Sequence, residues 1–225
     1  MQKIKVLLAD DHTVVRQGLR SLLAAEEDIE IVGEAESGRQ AVQMAKKLLP
    51  DVIVMDIAMP LLNGLEATRQ ITKELPSSKV LILSSYNDDE YVQQLTEAGA
   101  VGYLIKQSAA NELLKAIRET QKGNAYFSPS ISRRLLERYR QAFISGQPVR
   151  KTAEHLTSRE AEVLQLIAEG KANKQMAGEL CISIKTVEKH RQQLMNKLNI
   201  HDVAGLTRYA LAKGIIERSG VEKVI

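Results

Sequence analysis

Val52-Ile53-Val54-Met55-Asp56, with Met59-Pro60 and Asn63-Gly64 close behind, is the stretch from which the rest of the chain can be read. Four apolar residues without alternation suit a strand buried on both faces, as in a parallel sheet. A carboxylate closes the run. A second apolar run, Ile4 to Ala9, ends in the same way, on Asp10-Asp11. Parallel strands set their carboxyl ends side by side at one rim, so Asp10, Asp11 and Asp56 are expected to converge. Like charges held that closely repel, and a divalent cation with oxygen ligands, Mg²⁺ above all, relieves the repulsion. A cation beside a carboxylate in a cleft suits acceptance of a phosphoryl group, with Asp56 as the nucleophile.

Outward from that stretch the pattern alternates. Short β-type runs fall at Val6–Ala9, Ile29–Ala35, Val52–Met55, Val80–Leu83 and Gly102–Ile105. Helical spacing lies between them: Val15, Leu19, Leu22 and Leu23 share one face, as do Tyr91, Leu95 and Ala98, and a last helix runs from about Ser108 to Gln121, with Gly123 to stop it. The expected fold is a five-stranded, parallel, doubly wound α/β sheet of the flavodoxin-like kind. Ser84 closes the fourth strand and Lys106 the fifth, so both face the rim of Asp56, with Tyr103 three residues before Lys106. A hydroxyl and an ammonium are the groups a phosphoryl on Asp56 would need. Singly, each has a plain explanation, because a strand-end Asp is commonly a helix cap and a lone Lys is commonly solvated. Together they are hard to explain as structure, since buried like charges cost stability unless a ligand compensates.

Beyond Gly123 the character changes. Asn124 to Pro129 reads as a loop leaving the sheet; Ile131, Leu135, Leu136, Tyr139 and Phe143 then recur at helical spacing, and Ser145-Gly146-Gln147-Pro148 breaks that helix ahead of Arg150-Lys151. From residue 156 onward everything is helical. Thr157 and Glu160 form a capping-box signature, Asn173 can cap a short helix, Cys181-Ile182-Ser183 is a three-residue turn, a longer helix reaches about Leu198, and Asp202 opens a last helix to about Lys213. The expected organisation is a sheet domain over 1–123, a linker with a helix over 124–153, and an all-α helix-turn-helix domain over 154–225. The long helix puts Lys185, Glu188, Lys189 and Gln192 on one face, opposite Val187, Leu194 and Leu198. Such side chains can reach base edges in a major groove while Thr186 and nearby cations hold phosphates. A merely solvated amphipathic face is the alternative.

Charge agrees with this division. Residues 1–124 carry a net −4 and residues 125–225 a net +7, so the second half is the one suited to a polyanion. With one cysteine, Cys181, no internal disulfide can form, which fits a reducing compartment. No signal-peptide pattern opens the chain and no apolar stretch approaches the roughly 20 residues of a membrane helix. The expectation is a soluble, cytoplasmic protein without membrane contact.

Residues 4 to 122 resemble a response-regulator receiver domain, on Asp10-Asp11, Asp56, Met59-Pro60, Asn63-Gly64, Ser84 and Gly102-Tyr103-Leu104-Ile105-Lys106. The resemblance implies that Asp11, Asp56 and the backbone carbonyl of Ala58 ligate Mg²⁺, with Asp10 helping through water. It implies further that Asp56 accepts phosphate from a sensor histidine kinase, that Ser84 and Tyr103 switch, and that Lys106 contacts the phosphoryl group. Gln107 stands where many receivers carry proline. Residues 154 to 216 resemble the DNA-binding domain of the NarL/FixJ (LuxR-type) regulators, on Leu156-Thr157, Arg159-Glu160, Glu169-Gly170, Asn173-Lys174, Ser183, Lys185-Thr186-Val187, His190 and Lys197-Leu198. That resemblance implies promoter-DNA contacts from Lys185, Thr186, Glu188, Lys189, His190 and Gln192. It also implies a homodimer formed on phosphorylation, with Val203, Leu206 and Tyr209 as a candidate pairing face.

Two rival readings are weaker. A lactone-sensing LuxR-type regulator needs an aromatic pocket, and the N-terminal half has no Trp and an acidic cluster instead. A phosphatase with Asp56 as covalent nucleophile needs a second carboxylate two residues on, where Ala58 stands, so no turnover of external phosphate esters is expected. His155 and His201 show no metal-ligand spacing with any partner; His12, beside the acidic pair, is tempting as a ligand but reads as the non-ligating start of the first helix.

Overall fold

The computed structural model describes residues 3–85, 89–145 and 156–216. Strands β1 (Ile4–Ala9), β2 (Ile29–Ala35), β3 (Val52–Met55), β4 (Lys79–Ser84), β5 (Gly102–Ile105) and β6 (Tyr126–Phe127) form one parallel sheet in the order β2-β1-β3-β4-β5-β6. Helices α1 (Thr13–Ala24), α2 (Gly38–Leu48), α3 (Gly64–Glu74), α4 (Asp89–Glu97) and α5 (Ala109–Gln121) follow the first five strands in turn. Alternate residues of each strand feed opposite layers. Leu7, Ile53, Ile82 and Tyr103 pack with Ala41, Ala67 and Leu95 on one face, while Val6, Leu8, Val54 and Leu81 pack with Leu19, Leu113 and Ile117 on the other. Both faces are covered, which is why the strands read as continuous apolar runs.

All five expected strands are present; two features differ from the reading above. Asn124 to Pro129 does not simply leave the sheet. Tyr126 and Phe127 pair with Gly102 and Tyr103 on the outer edge of β5, and the Ser128 amide donates to the Tyr103 carbonyl at 2.9 Å. The edge of β5 offers unpaired backbone groups, and a two-residue strand satisfies them. The expected connecting helix, α6 (Pro129–Ser145), then packs on α4 and sends Ile131 into the sheet core. The break and basic pair expected after Ser145 lie outside the described residues, as does His155. The second difference is in α1, whose buried residues are Arg16, Leu19 and Leu23, with Val15 and Leu22 only half-buried.

The C-terminal helices are α7 (Ser158–Ala168), α8 (Asn173–Leu180), α9 (Ile184–Leu198) and α10 (Val203–Ala212). Thr157 and Glu160 make the expected capping box, Ser183 caps α9 through the Thr186 amide, and Asp202 caps α10 through the Gly205 amide. Asn173 is not the cap of α8. It is the first helical residue, and its side-chain oxygen accepts from Arg191 Nη1 at 2.7 Å, tying α8 to α9. Val163, Leu164, Ile167, Met176, Val187, Leu194 and Leu206 form the core of this bundle. Among the described residues no helix is long and apolar enough to cross a membrane.

Candidate functional site

In the sheet, β1 and β3 are neighbours, yet the chain leaves them in opposite directions, to β2 and to β4. A crevice opens at the carboxyl ends of two strands whose connections diverge in this way. Asp10 follows β1 and Asp56 follows β3, and backbone bonds fix both: the Asp10 amide donates to Ala35 O at 3.1 Å and the Asp56 amide to Ala9 O at 2.8 Å. Lys106, just beyond β5, reaches across and places Nζ 2.7 Å from Asp10 Oδ2 and 2.7 Å from Asp56 Oδ2. The ligand atoms of Asp10, Asp11, His12 and Asp56 all lie within 4.8 Å of one another. Three carboxylates that close supply the oxygen donors a hard divalent cation takes. His12 Nδ1 lies 2.9 Å from Asp11 Oδ1 and 3.2 Å from Asp10 Oδ1, so it sits closer to the cluster than its position at the start of α1 suggests.

The charges shape one another. Burial pushes the Asp56 carboxyl up to about 7, with Asp10 adding to the rise and Lys106 opposing it. Burial alone would lower Lys106, but Asp56 and Asp10 outweigh it and hold the ammonium above its ordinary range. A carboxyl whose folded pKa lies above its unfolded 3.8 takes up a proton on folding, so its contribution to stability falls as pH rises toward about 7. Without divalent cation, the melting temperature of the natural chain should therefore drop relative to that of Asp56→Asn as pH is raised through this window. Parallel melting curves for the two proteins would contradict the assignment.

Ser84 is fully buried at the end of β4, paired in register with Ile105, and Tyr103 is buried at 1 % exposure. Ala58 is buried two residues beyond Asp56 in the loop to α3. Asp10, Asp11, Asp56, Ser84 and Lys106 thus fall at one rim, whereas Tyr103 lies within β5 and packs in the sheet core. One residue escaped the sequence reading: Arg16, buried, donates from Nη1 to the Asp10 carbonyl at 2.7 Å and from Nη2 to Glu36 at 2.5 Å. Its signal was available, since Arg16, Leu19 and Leu23 stand at helical spacing and a charge on a buried face calls for a polar partner.

On α9 the expected geometry is present. Lys185, Glu188, Lys189 and Gln192 are exposed, while Val187 and Leu194 are buried. His190 is half-buried, and the Thr186 hydroxyl lies 2.8 Å from that of Ser183 within the cap. The candidate pairing residues on α10 do not share one environment. Val203 is 48 % exposed and Tyr209 half-buried, but Leu206 is wholly within the bundle core, because its position faces α7 rather than solvent.

The two halves also touch. Gln165 of α7 accepts from the Asn63 amide at 2.8 Å and donates to the Met59 carbonyl at 2.8 Å, while Glu169 accepts from the Leu61 amide at 2.9 Å. Gln70 of α3 donates to Glu162 at 2.9 Å. Burial raises the carboxyls of Glu66 and Glu169 at this contact. The exposed face of α9 is left uncovered.

A doubly wound sheet with an acidic crevice and a crossing ammonium, joined to a helix-turn-helix bundle, defines a phospho-accepting regulator that binds DNA. Comparison with known proteins agrees. Residues 6–118 match the model of the response regulator receiver domain, and residues 154–210 that of the bacterial regulatory proteins of the luxR family. The chain is similar to the transcriptional regulatory protein LiaR of Bacillus subtilis (44 % identity over 207 residues, 92 % of this chain and 96 % of LiaR) and to the response regulator protein VraR of Staphylococcus aureus (38 % over 214 residues, 95 % and 99 %). Among solved structures it resembles the RcsB response regulator of Salmonella typhimurium, with a TM-score of 0.63, 30 % identity, and coverage of 94 % of this chain and 98 % of that one. This chain belongs to the two-component response regulators that join a receiver to a LuxR-type helix-turn-helix, and it is a DNA-binding transcriptional regulator rather than an enzyme acting on external substrates.

Proposed function

We propose that Asp56 is the residue phosphorylated, by a sensor histidine kinase in the cytoplasm, and that the phosphoryl group switches the protein to a dimer on promoter DNA. The observation that carries this reading is the Lys106 ammonium held 2.7 Å from both Asp56 and Asp10 at the strand switch point. An Asp56 oxygen attacks phosphorus, the bond from phosphorus to the donor's imidazole nitrogen breaks, and that nitrogen leaves with the electron pair. Asp11, Asp56 and the Ala58 carbonyl, with Asp10 behind, would hold Mg²⁺, which would supply positive charge to neutralise the transferred group. Lys106 turns from Asp10 toward the new oxygens, and Ser84 offers them its hydroxyl while Tyr103 follows. The working units are residues 1–123 and 154–225, joined through 124–153.

On the DNA side, Lys185, Glu188, Lys189 and Gln192 present the base-reading and phosphate-binding face, with Thr186 and His190 at its margin. RcsB has been solved as two dimers bound to two parallel DNAs, which supports a dimeric bound state here. Val203 is the large exposed apolar side chain that α10 offers to a partner. Light scattering with Mg²⁺, before and after fluoroberyllate or a small acyl phosphate, should show the mass double. A constant mass together with unchanged DNA affinity would count against the switch. Lys189→Ala should weaken binding about equally on all sequences and lower the slope of log affinity against log salt by about 1; an unchanged slope would remove Lys189 from the phosphate contacts.

A further inference from the structure

The loop that follows Asp56 is gripped from outside its own domain as well as from within it, where the Gly64 amide donates to the Ile57 carbonyl and the Gly38 amide to the Leu62 carbonyl. Leu61 has φ 66, in the left-handed region that a branched aliphatic residue avoids. Three contacts from the helical bundle hold it there. Glu169 accepts from its amide, Gln165 spans it from the Met59 carbonyl to the Asn63 amide, and the Leu61 side chain packs against the hydrophobic core of the bundle. Gln165 is almost completely buried, with both ends of its amide satisfied by the loop and Nε2 shared with Glu169 at 2.8 Å. These are specific bonds to the backbone of residues 59–63, three to seven positions after Asp56, whereas the exposed face of α9 takes no part in the contact.

We infer that Gln165 and Glu169, in the DNA-binding domain, are positioning residues for phosphoryl acceptance by Asp56, holding its loop in a form that accepts slowly. The inference rests on Asp56 being the phosphoacceptor. A receiver freed of the grip loses its reason to keep Leu61 at positive φ, and the loop relaxes around Ala58, Met59 and Pro60. Binding energy between domains and reactivity at Asp56 are then linked through one element with two arrangements. Docking does not act by covering the DNA-reading face.

The test uses the whole chain with Mg²⁺ and a small acyl phosphate, following the phosphorylated fraction by intact-mass spectrometry. Gln165→Ala and Glu169→Ala should each raise the acceptance rate, and Gln165→Ala by at least about fivefold, the lower end of usual coupling between sites. Gln165→Glu sets a carboxylate oxygen against the Met59 carbonyl and the Glu169 carboxylate, so it should raise the rate at least as far as Gln165→Ala. Leu61→Ala should raise the rate, and adding Gln165→Ala to it should raise it little more, which a general loosening of the bundle would not produce. Rates at or below the natural one for Gln165→Ala and Leu61→Ala overturn the inference. A natural chain that gains no phosphoryl group at all sinks the reading of Asp56 instead.

Discussion

Asp56→Asn should abolish phosphoryl acceptance from any donor, leaving DNA affinity the same with and without fluoroberyllate or acyl phosphate. The amide keeps the shape of the side chain but supplies no anionic oxygen to attack phosphorus. Folding should survive, because burial already penalises the charged carboxyl, raising it to about 7, and an amide of the same shape escapes that penalty. Lys106 keeps Asp10 as a partner at 2.7 Å. The natural chain, by contrast, should gain roughly 5- to 150-fold in affinity on phosphorylation, the ordinary range of coupling between two sites. Titration of a fluorescent promoter duplex at fixed salt reads both values. If Asp56→Asn gained affinity to the same extent as the natural chain, the phosphoryl group would have to sit elsewhere.

Much of this site could be read without coordinates because its residues are strand-end residues. Asp10, Asp56, Ser84 and Lys106 each close an apolar run, and a parallel sheet turns that sequence property into a shared rim. The capping box of α7, the Asp202 cap of α10 and the polar face of α9 were legible for a similar reason, since three- and four-residue spacings are local. What escaped was non-local. Tyr126-Phe127 is too short to announce a strand, and only the open edge of β5 makes it one. Leu206 sits at a spacing compatible with either side of α10, and the packing of α7 decides it. The grip of Gln165 on Met59 and Asn63 joins residues about a hundred positions apart through an ordinary glutamine, and no spacing rule points to it.

Gly64→Ala should damage the receiver far more than its size suggests. The Asn63-Gly64 pair begins α3: Asn63 caps the helix by accepting from the Glu66 amide at 2.9 Å, and the Gly64 amide donates back to the Ile57 carbonyl at 2.7 Å. That bond folds the loop onto the residue after the phosphoacceptor. A Cβ at position 64 would strike the Asp56 carbonyl oxygen and come within 3.0 Å of Ile57 Cα, both backbone atoms of the buried β3 end. Neither can swing aside as a side-chain tip would. The cost should reach the upper end of overpacking, about 3 kcal/mol, which lowers the melting temperature of the receiver by about 10 °C. Gly18→Ala is the matched control. Gly18 lies within α1 with nothing within 4 Å of an added Cβ, so alanine should stabilise by about 0.5–1 kcal/mol through helix propensity. Equal and small effects at the two positions would mean that the Asp56 loop yields easily, and the tight return from Gly64 to Ile57 could not then be what keeps the phosphoacceptor aligned with Asp10 and Lys106.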